Sequence, residues 1–401
     1  MRPPTRLLAT SVALLAGCAR PSAPLLSPER LPFVADTLRT TEVAPGLTHH
    51  FIHTARGPWA IHLLEVRRSA CWSARAVKGG SGAAGRRTTS ALLRDADRAE
   101  SPVYAGVNAD FFSLATGVPV SAHVEDGRVV VGPGPRPAIA FDSLGVPTIA
   151  VLSTSGSIVL GGRDTMRLVA WNRHAPRGVA LFDRAWGTAS DTGTARIEVA
   201  LAGPAPYRVV ATDTLPASTT IPDSGLLLVA GPQASAATRR AVLAARVGDM
   251  VQVARGVGPR GVRDAVGGWP ILLRDGAITT DVDSAGASFA PVRHPRTAIG
   301  LADGGRTLLL MVVDGRQPPW SAGMTLRELA ELFRALGAHD ALNLDGGGSS
   351  AFVTADPDPA RTLRVRNRPS DAGGERTVGN ALAIVRRCER ASSASPAGNH
   401  R

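Results

Sequence analysis

Lysine is nearly missing. The 401 residues contain one, Lys78, among 45 basic side chains and a net charge of +12. The charge is otherwise arginine scattered along the whole length. Scatter does not build the one-sided basic face that a nucleic acid needs, so nucleic acid is set aside as a partner. Cysteine is scarce too: Cys18, Cys71 and Cys388 are the only three, and their wide spacing excludes a zinc signature. After the first segment, no apolar run approaches the roughly 20 residues that span a bilayer as a helix. No internal repeat is evident, which removes solenoids. The remaining chain, about 370 residues, can form one large or two moderate domains with a sizeable core.

Residues 1–18 read as an export signal, in which Arg2 and Arg6 precede an apolar stretch and small residues lead to Cys18. Leu15-Ala16-Gly17-Cys18 resembles the lipobox of bacterial lipoproteins. That implies a lipid on Cys18 and a water-soluble domain anchored at the cell envelope, at the outer membrane or periplasmic face in a Gram-negative cell; a plain cleaved signal is the simpler alternative. Residues 19–32, rich in Pro and Ser, read as a tether, residues 33–388 as the domain, and residues 389–401 as a disordered polar tail. Cys71 and Cys388 then remain in a compartment where disulfides persist, either bonded to each other or as two separate thiols.

Residues 49–53, 60–66 and 71–77 alternate apolar and polar side chains and predict the start of an antiparallel sheet. Residues 90–99 predict a short helix capped by Ser90, and residues 102–108 a strand ending in a polar corner. The middle reads as β-structure with Gly- and Pro-rich turns, Asp126-Gly127 forming a hairpin tip. A helix is expected over 235–246 and a strand over 250–254. Residues 307–313 are an apolar strand that delivers Asp314. Residues 325–336 form the clearest helix: Thr325 and Glu328 suit a capping box, one face is apolar, and Gly337 stops it. Residues 341–344 then deliver Asp345. If the two strands lie side by side and parallel, as a strand-helix-strand crossover favours, both carboxylates emerge at one edge.

Asp345-Gly346-Gly347-Gly348-Ser349-Ser350 follows a buried strand directly, and consecutive glycines let a backbone turn tightly and offer its N–H groups to an anion or a sugar hydroxyl. A linker would not sit between two apolar strands. Asn343 stands beside this loop. Arg296 brings a guanidinium suited to a bidentate grip on phosphate or carboxylate, more so than Arg293. Asn108-Ala109-Asp110-Phe111-Phe112 adds polar side chains against an aromatic pair. Trp320 is placed to stack on a sugar.

These segments resemble the phosphodiester glycosidases, the family of the uncovering enzyme that removes N-acetylglucosamine from a phosphodiester. The resemblance lies in Asn108 to Phe112, Pro295-Arg296-Thr297-Ala298-Ile299-Gly300, Val313-Asp314-Gly315-Arg316, Gly323-Met324-Thr325, Gly337-Ala338, Asn343 to Ser350 and Glu375-Arg376-Thr377-Val378-Gly379-Asn380-Ala381-Leu382. It covers residues 103–384, with the strongest motifs in 103–113 and 293–384. Two departures stand out. Ala109-Asp110 replaces a glycine pair and brings an extra carboxylate, and Gln317-Pro318-Pro319-Trp320 replaces a flexible loop. Residues 144–263 match no motif.

The resemblance implies cleavage of a glycosyl–phosphate bond in a sugar-1-phosphodiester or a related envelope glycan. A phosphate monoester has a second pKa of about 6 and leaves without strong protonation. Asp345 is then expected to activate water or attack the anomeric carbon, and Asp314 to stabilise the oxocarbenium-like transition state, with the two roles interchangeable. Arg296 would hold the phosphate with the amides of Gly346, Gly347 and Gly348, and Asn108, Asp110, Asn343, Ser349 and Trp320 would line the substrate. No cofactor is required. The rivals are a hydrolase using Ca2+ or Mg2+ at Asp314 and Asp345, a serine hydrolase built on Ser349 with His294 or His339, and a non-catalytic glycan-binding lipoprotein. The expected fold is α+β, a bent and mainly antiparallel sheet packed on a few helices in a single catalytic domain.

Overall fold

The computed structural model describes residues 26–68, 71–162, 164–190, 196–214, 219–357 and 361–387. The expected export signal, Cys18, Cys388 and the polar tail lie outside the described residues. Among those residues, no helix is long and apolar enough to cross a membrane.

Alternation along one strand sets the layers. In Thr307–Val313 all seven side chains are buried. Leu308, Leu310 and Val312 enter one core cluster, while Leu309, Met311 and Val313 enter another, as a period of two requires. The second cluster is the contact with the helix Leu326–Ala335, whose Leu326, Leu329, Ala330 and Phe333 are fully buried. Gly300 permits the close approach, since a Cβ there would stand 2.5 Å from the Phe333 ring. The expected capping box is present, with Thr325 and Glu328 each bonding the other's backbone, and Gly337 ends the helix at φ +81.

The first cluster is shared with a second, five-stranded sheet through Val107, Phe352, Leu382 and Ile384. The far face of that sheet is covered by the helix Thr89–Ala96, through Leu92 and Leu93. The frame is therefore helix, eight-stranded sheet, five-stranded sheet, helix. It is mostly antiparallel with few helices, an α+β arrangement as expected. The middle of the chain is a closed barrel of seven strands running from Ser153–Leu160 to Met250–Gly258, with a core of its own.

Four details differ from expectation. The strand Trp72–Lys78 joins the second sheet, not the sheet of Leu47–Thr54 and Trp59–Arg67, because its pairing partner is the last strand, Asn380–Arg386. Thr88, not Ser90, caps the first helix, its hydroxyl accepting from the Ala91 amide. Residues 26–32 are not all tether, since Leu26 and Leu31 are buried in the helix-side core. The strands ending at Asp314 and Asp345 are parallel but not adjacent, because Arg296–Ala302 lies between them and pairs antiparallel with both. Asp314, Arg296 and Asp345 still reach one edge, since the start of an antiparallel strand lies beside its neighbours' ends.

Replacing Thr325 with Ala should remove the cap without touching the core and lower unfolding stability by about 1 kcal/mol. Denaturant midpoints at constant slope would measure this, and an unchanged midpoint would show that the cap contributes nothing.

Candidate active site

Asn108 ends the strand Val103–Asn108 with its side chain fully buried between the two sheets. Its Nδ2 donates to the Asp345 carbonyl at 2.6 Å. Its Oδ1 accepts from the Thr297 hydroxyl at 2.8 Å and from the Ala351 amide at 3.1 Å. Asn108 thus spends its side-chain groups on fixing the start of the glycine loop to both sheets. Asn343 has a similar place, donating to the carbonyls of Trp269 at 2.7 Å and Leu344 at 2.8 Å.

Each glycine of the loop meets something. A Cβ on Gly347, which sits at φ +61, would lie 3.1 Å from Arg316 Nη2, and one on Gly348 would collide with the Arg376 guanidinium and Asp371. Two guanidinium groups thus rest on the loop. Arg376 is paired with Asp371 at 2.8 Å, while Arg316 reaches His294 Nδ1 at 3.3 Å. Of the three expected amides that of Gly347 is taken, donating to the Pro295 carbonyl at 2.9 Å, and beyond it Ser349 donates to Gly346 at 3.2 Å and Ser350 to Gly347 at 3.1 Å. Positive charge at this loop comes chiefly from side chains.

Asp345 is half-buried at the head of the loop. Burial raises its pKa to about 6, against the Ser349 hydroxyl, Arg376 and the Gly346 amide, which favour the charged form. The carboxylate it interacts with is Asp110. Asp110 is buried, accepting from the Ser121 amide at 2.6 Å and the Ser121 hydroxyl at 3.3 Å. Its pKa is raised to about 7, first by burial and further by the charge of Asp345, while Ser121 and Arg136 oppose the shift. The two carboxyl groups are thus near enough for the charge of Asp345 to hold the proton on Asp110.

Asp314 stands apart from this pair. Its oxygens accept from Trp320 Nε1 at 3.0 Å, Asn367 Nδ2 at 3.1 Å and the Arg368 amide at 3.0 Å, and burial raises its pKa. Its link to Asp345 is indirect: Asn367 also donates to the Ser350 carbonyl at 3.1 Å. Among the described residues no three His, Cys, Asp or Glu side chains converge as metal ligands. His339 pairs with Asp340 at 2.8 Å near the opposite end of the strand Ala338–Asn343 from Asp345, out of register with Ser349 for a serine triad.

Arg296 is fully buried, donating at 2.8 Å to each of the carbonyls of Met324, Phe289 and Val292. Its guanidinium lies 4.6 Å from the Phe289 ring centroid. Only Nη1 has no partner among the described residues. Burial, then Arg316, lowers its pKa to about 10. The pKa of His294 is lowered by burial and by the same two arginines. Like charges held this close favour an anion among them.

Three residues that the sequence did not single out, Arg136, Trp269 and Phe289, complete the site. Phe289 stacks on Trp269 at 5.9 Å and meets Phe111 edge-on at 6.2 Å. Arg136 sits over both Phe111, at 5.4 Å, and Trp269, at 5.3 Å. Phe111, Arg136, Trp269, Phe289 and Arg376 are all half-buried, so they form an aromatic and cationic wall open to solvent. The available signal was Gly267-Gly268-Trp269-Pro270, a glycine pair before a tryptophan: a Cβ on Gly267 would stand 2.6 Å from Asp110 Oδ2, and one on Gly268 would stand 2.5 Å from the Asn343 carbonyl. Trp320 belongs to another wall, stacked on His53 at 4.8 Å.

Residues 196–385 match the phosphodiester glycosidase family, the family that the motifs resemble. The match begins inside the barrel, so it takes in part of the segment where no motif was found and leaves out the strand carrying Asn108. The SPbeta prophage-derived protein YomE of Bacillus subtilis (strain 168) is 48% identical over 59 residues, 15% of this chain and 9% of that protein. A Synechocystis protein of solved structure superposes with a TM-score of 0.72 at 24% identity, over 88% of this chain and 64% of its own. A Burkholderia pseudomallei K96243 protein, named as exported, gives 0.63 at 26% identity, over 82% and 74%. The zebrafish N-acetylglucosamine-1-phosphodiester alpha-N-acetylglucosaminidase catalytic domain, auto-inhibited by its pro-peptide, gives 0.42 at 15% identity, over 87% and 81%. The chain thus spans less than two thirds of the prophage and Synechocystis proteins.

Asp110 and Asp345 have folded pKa values of about 7 and about 6 against an ordinary 3.8. A carboxyl whose pKa rises on folding stabilises the fold while protonated, and that contribution falls as pH climbs from the unfolded value through the folded one. Asp110→Asn should therefore gain stability relative to the parent as pH rises from about 4 to about 7. Parallel pH curves for the two proteins would refute the buried, proton-retaining state of Asp110.

Proposed function

With residues 196–385 a phosphodiester glycosidase domain, we propose that the chain cleaves a glycosyl–phosphate bond at the site around Asp345. The observation that carries this reading is the pair of guanidinium groups, Arg316 and Arg376, lying on the glycine loop beside a carboxylate that shares its place with a second one. Phosphate binds between the arginines, in the bidentate geometry that guanidinium favours. The sugar lies against the Phe111, Trp269 and Phe289 rings, whose apolar faces suit its C–H surface.

Asp345, half-exposed and ionised at neutral pH, attacks the anomeric carbon or takes a proton from the attacking water. Asp110 keeps its proton longer, so the pair carries a single negative charge as the oxocarbenium-like centre develops. The phosphate monoester leaves with the bond's electrons and is stabilised by Arg316, Arg376 and Arg136. Asp314 takes a positioning role through Trp320 and Arg368, and Arg296 shapes the wall by holding the segment 289–292. These roles revise the pairing of Asp314 with Asp345 and the phosphate grip of Arg296 expected from the sequence.

Release of free sugar from a panel of sugar-1-phosphodiesters tests this directly. Asp345→Asn should lower turnover roughly a thousandfold and Asp110→Asn comparably, whereas Asp314→Asn should cost about tenfold. An Asp314→Asn loss as deep as that of Asp345→Asn would restore the other pairing. Glycan binding without product from the parent protein would make it a binding lipoprotein.

We also propose export and anchoring through Cys18, supported by the signal-like start of the chain and by the exported Burkholderia relative. A disulfide between Cys71 and Cys388 fits that compartment, since the Arg387 amide donates to the Cys71 carbonyl at 2.8 Å. Mass spectrometry of the protein recovered from the envelope should find a lipid on Cys18 and a linked pair of cysteine peptides before reduction. Unmodified Cys18 or unlinked peptides would remove the respective assignment.

A further inference from the structure

A cavity of about 560 Å3 opens beside Trp320, and none of its lining belongs to the Asp110–Asp345 site. Its size is that of an ordinary small-ligand site. Trp320 stacks on Phe51 with centroids 5.9 Å apart and planes 13° apart. Two guanidinium groups are pinned on these rings: Arg368 is 3.8 Å from the Trp320 centroid and Arg39 is 5.7 Å from that of Phe51. Neither is in an ion pair among the described residues. The third arginine, Arg366, is spent on Asp356 at 2.7 Å and Thr354 at 2.8 Å. Three arginines against one aspartate leave the lining positive.

The rest of the lining is uncharged, with Thr41, His49, His62 and Thr354 as its polar side chains. His49 Nε2 and His62 Nδ1 lie 3.1 Å apart, and burial lowers their pKa values to about 4 and about 3. Neutral imidazoles offer both donors and acceptors, as sugar hydroxyls require. A ring beneath each free guanidinium holds it in place, so less side-chain freedom is lost when an anion arrives.

We propose that this cavity is a second binding site, for an anionic saccharide whose carboxylate or phosphate is held by Arg39 and Arg368. The assignment does not depend on bond cleavage and is read by binding alone. Calorimetric titration of the full chain would use trigalacturonate, glucose 1-phosphate and neutral maltotriose. At least one anionic probe should bind, more weakly at high salt, and maltotriose should bind at least about tenfold less tightly. The double variant Arg39→Gln/Arg368→Gln should lose about tenfold or more in affinity, with its unfolding midpoint reported alongside. If the double variant does not fold, Arg39→Gln alone, at an exposed side chain, gives the same reading. Binding of trigalacturonate alone names the carboxylate, and of glucose 1-phosphate alone the phosphate. Equal binding of maltotriose, no binding of either anion, unchanged affinity in a folded variant, or loss of binding in Asp345→Asn would each overturn the proposal.

Discussion

The buried amide of Asn108 is the contact on which the site depends. It is the point where the two sheets and the glycine loop meet: its Nδ2 serves the loop, and its Oδ1 serves Thr297 of one sheet and Ala351 at the start of the other. Removing it would take the partner from the Ala351 amide and the Asp345 carbonyl in a dry interior and leave the Thr297 hydroxyl only Ser350, which costs more than the loss of one exposed bond. The position of Asp345 follows from this knot, because its own carbonyl is one of the three partners. The carboxylate is therefore held by backbone that cannot shift without parting the sheets.

Environment separates the two aspartates that end parallel strands. Asp314 has its oxygens filled by an indole, an amide side chain and a backbone N–H, which suits the positioning role proposed for it. Asp345 is left half-open beside guanidinium groups and a second carboxyl, so its charge is available for work. The same residue type at equivalent strand ends takes different roles because of what lies next to each.

Much of this was legible in the sequence, for local reasons. The helix Leu326–Ala335 announced itself through its cap, its apolar face and Gly337, all within a dozen or so residues. The strand ending before Asp314 could be read from an unbroken apolar run and the one before Asp345 from a shorter run interrupted by Asn343, and the glycine loop from its place after the latter. What could not be read depends on distant pairing. The strand Arg296–Ala302 separates those two strands by joining both, which no local pattern reveals. The barrel closes when Ser153 meets Gly258, across more than a hundred residues. Arg136, Trp269 and Phe289 lie in turns without a period, so their convergence on Phe111 belongs to the tertiary fold.

The barrel leaves and rejoins the frame at a single spot. It begins just after Pro147–Ala150 and ends just before Val262–Gly267, two strands that flank the same neighbour, Ala138–Asp142. Its first and last residues are already paired with each other. The frame thus sees a hundred-residue excursion as if it were a short hairpin. Such an excursion can lengthen, shrink or change its surface while every register in the surrounding sheets stays the same. One tie remains, because Arg173 within the excursion feels the charge of Asp110 and donates at 2.8 Å to the carbonyls of Gly132 and Val120, so remodelling that keeps this arginine leaves the carboxylates undisturbed.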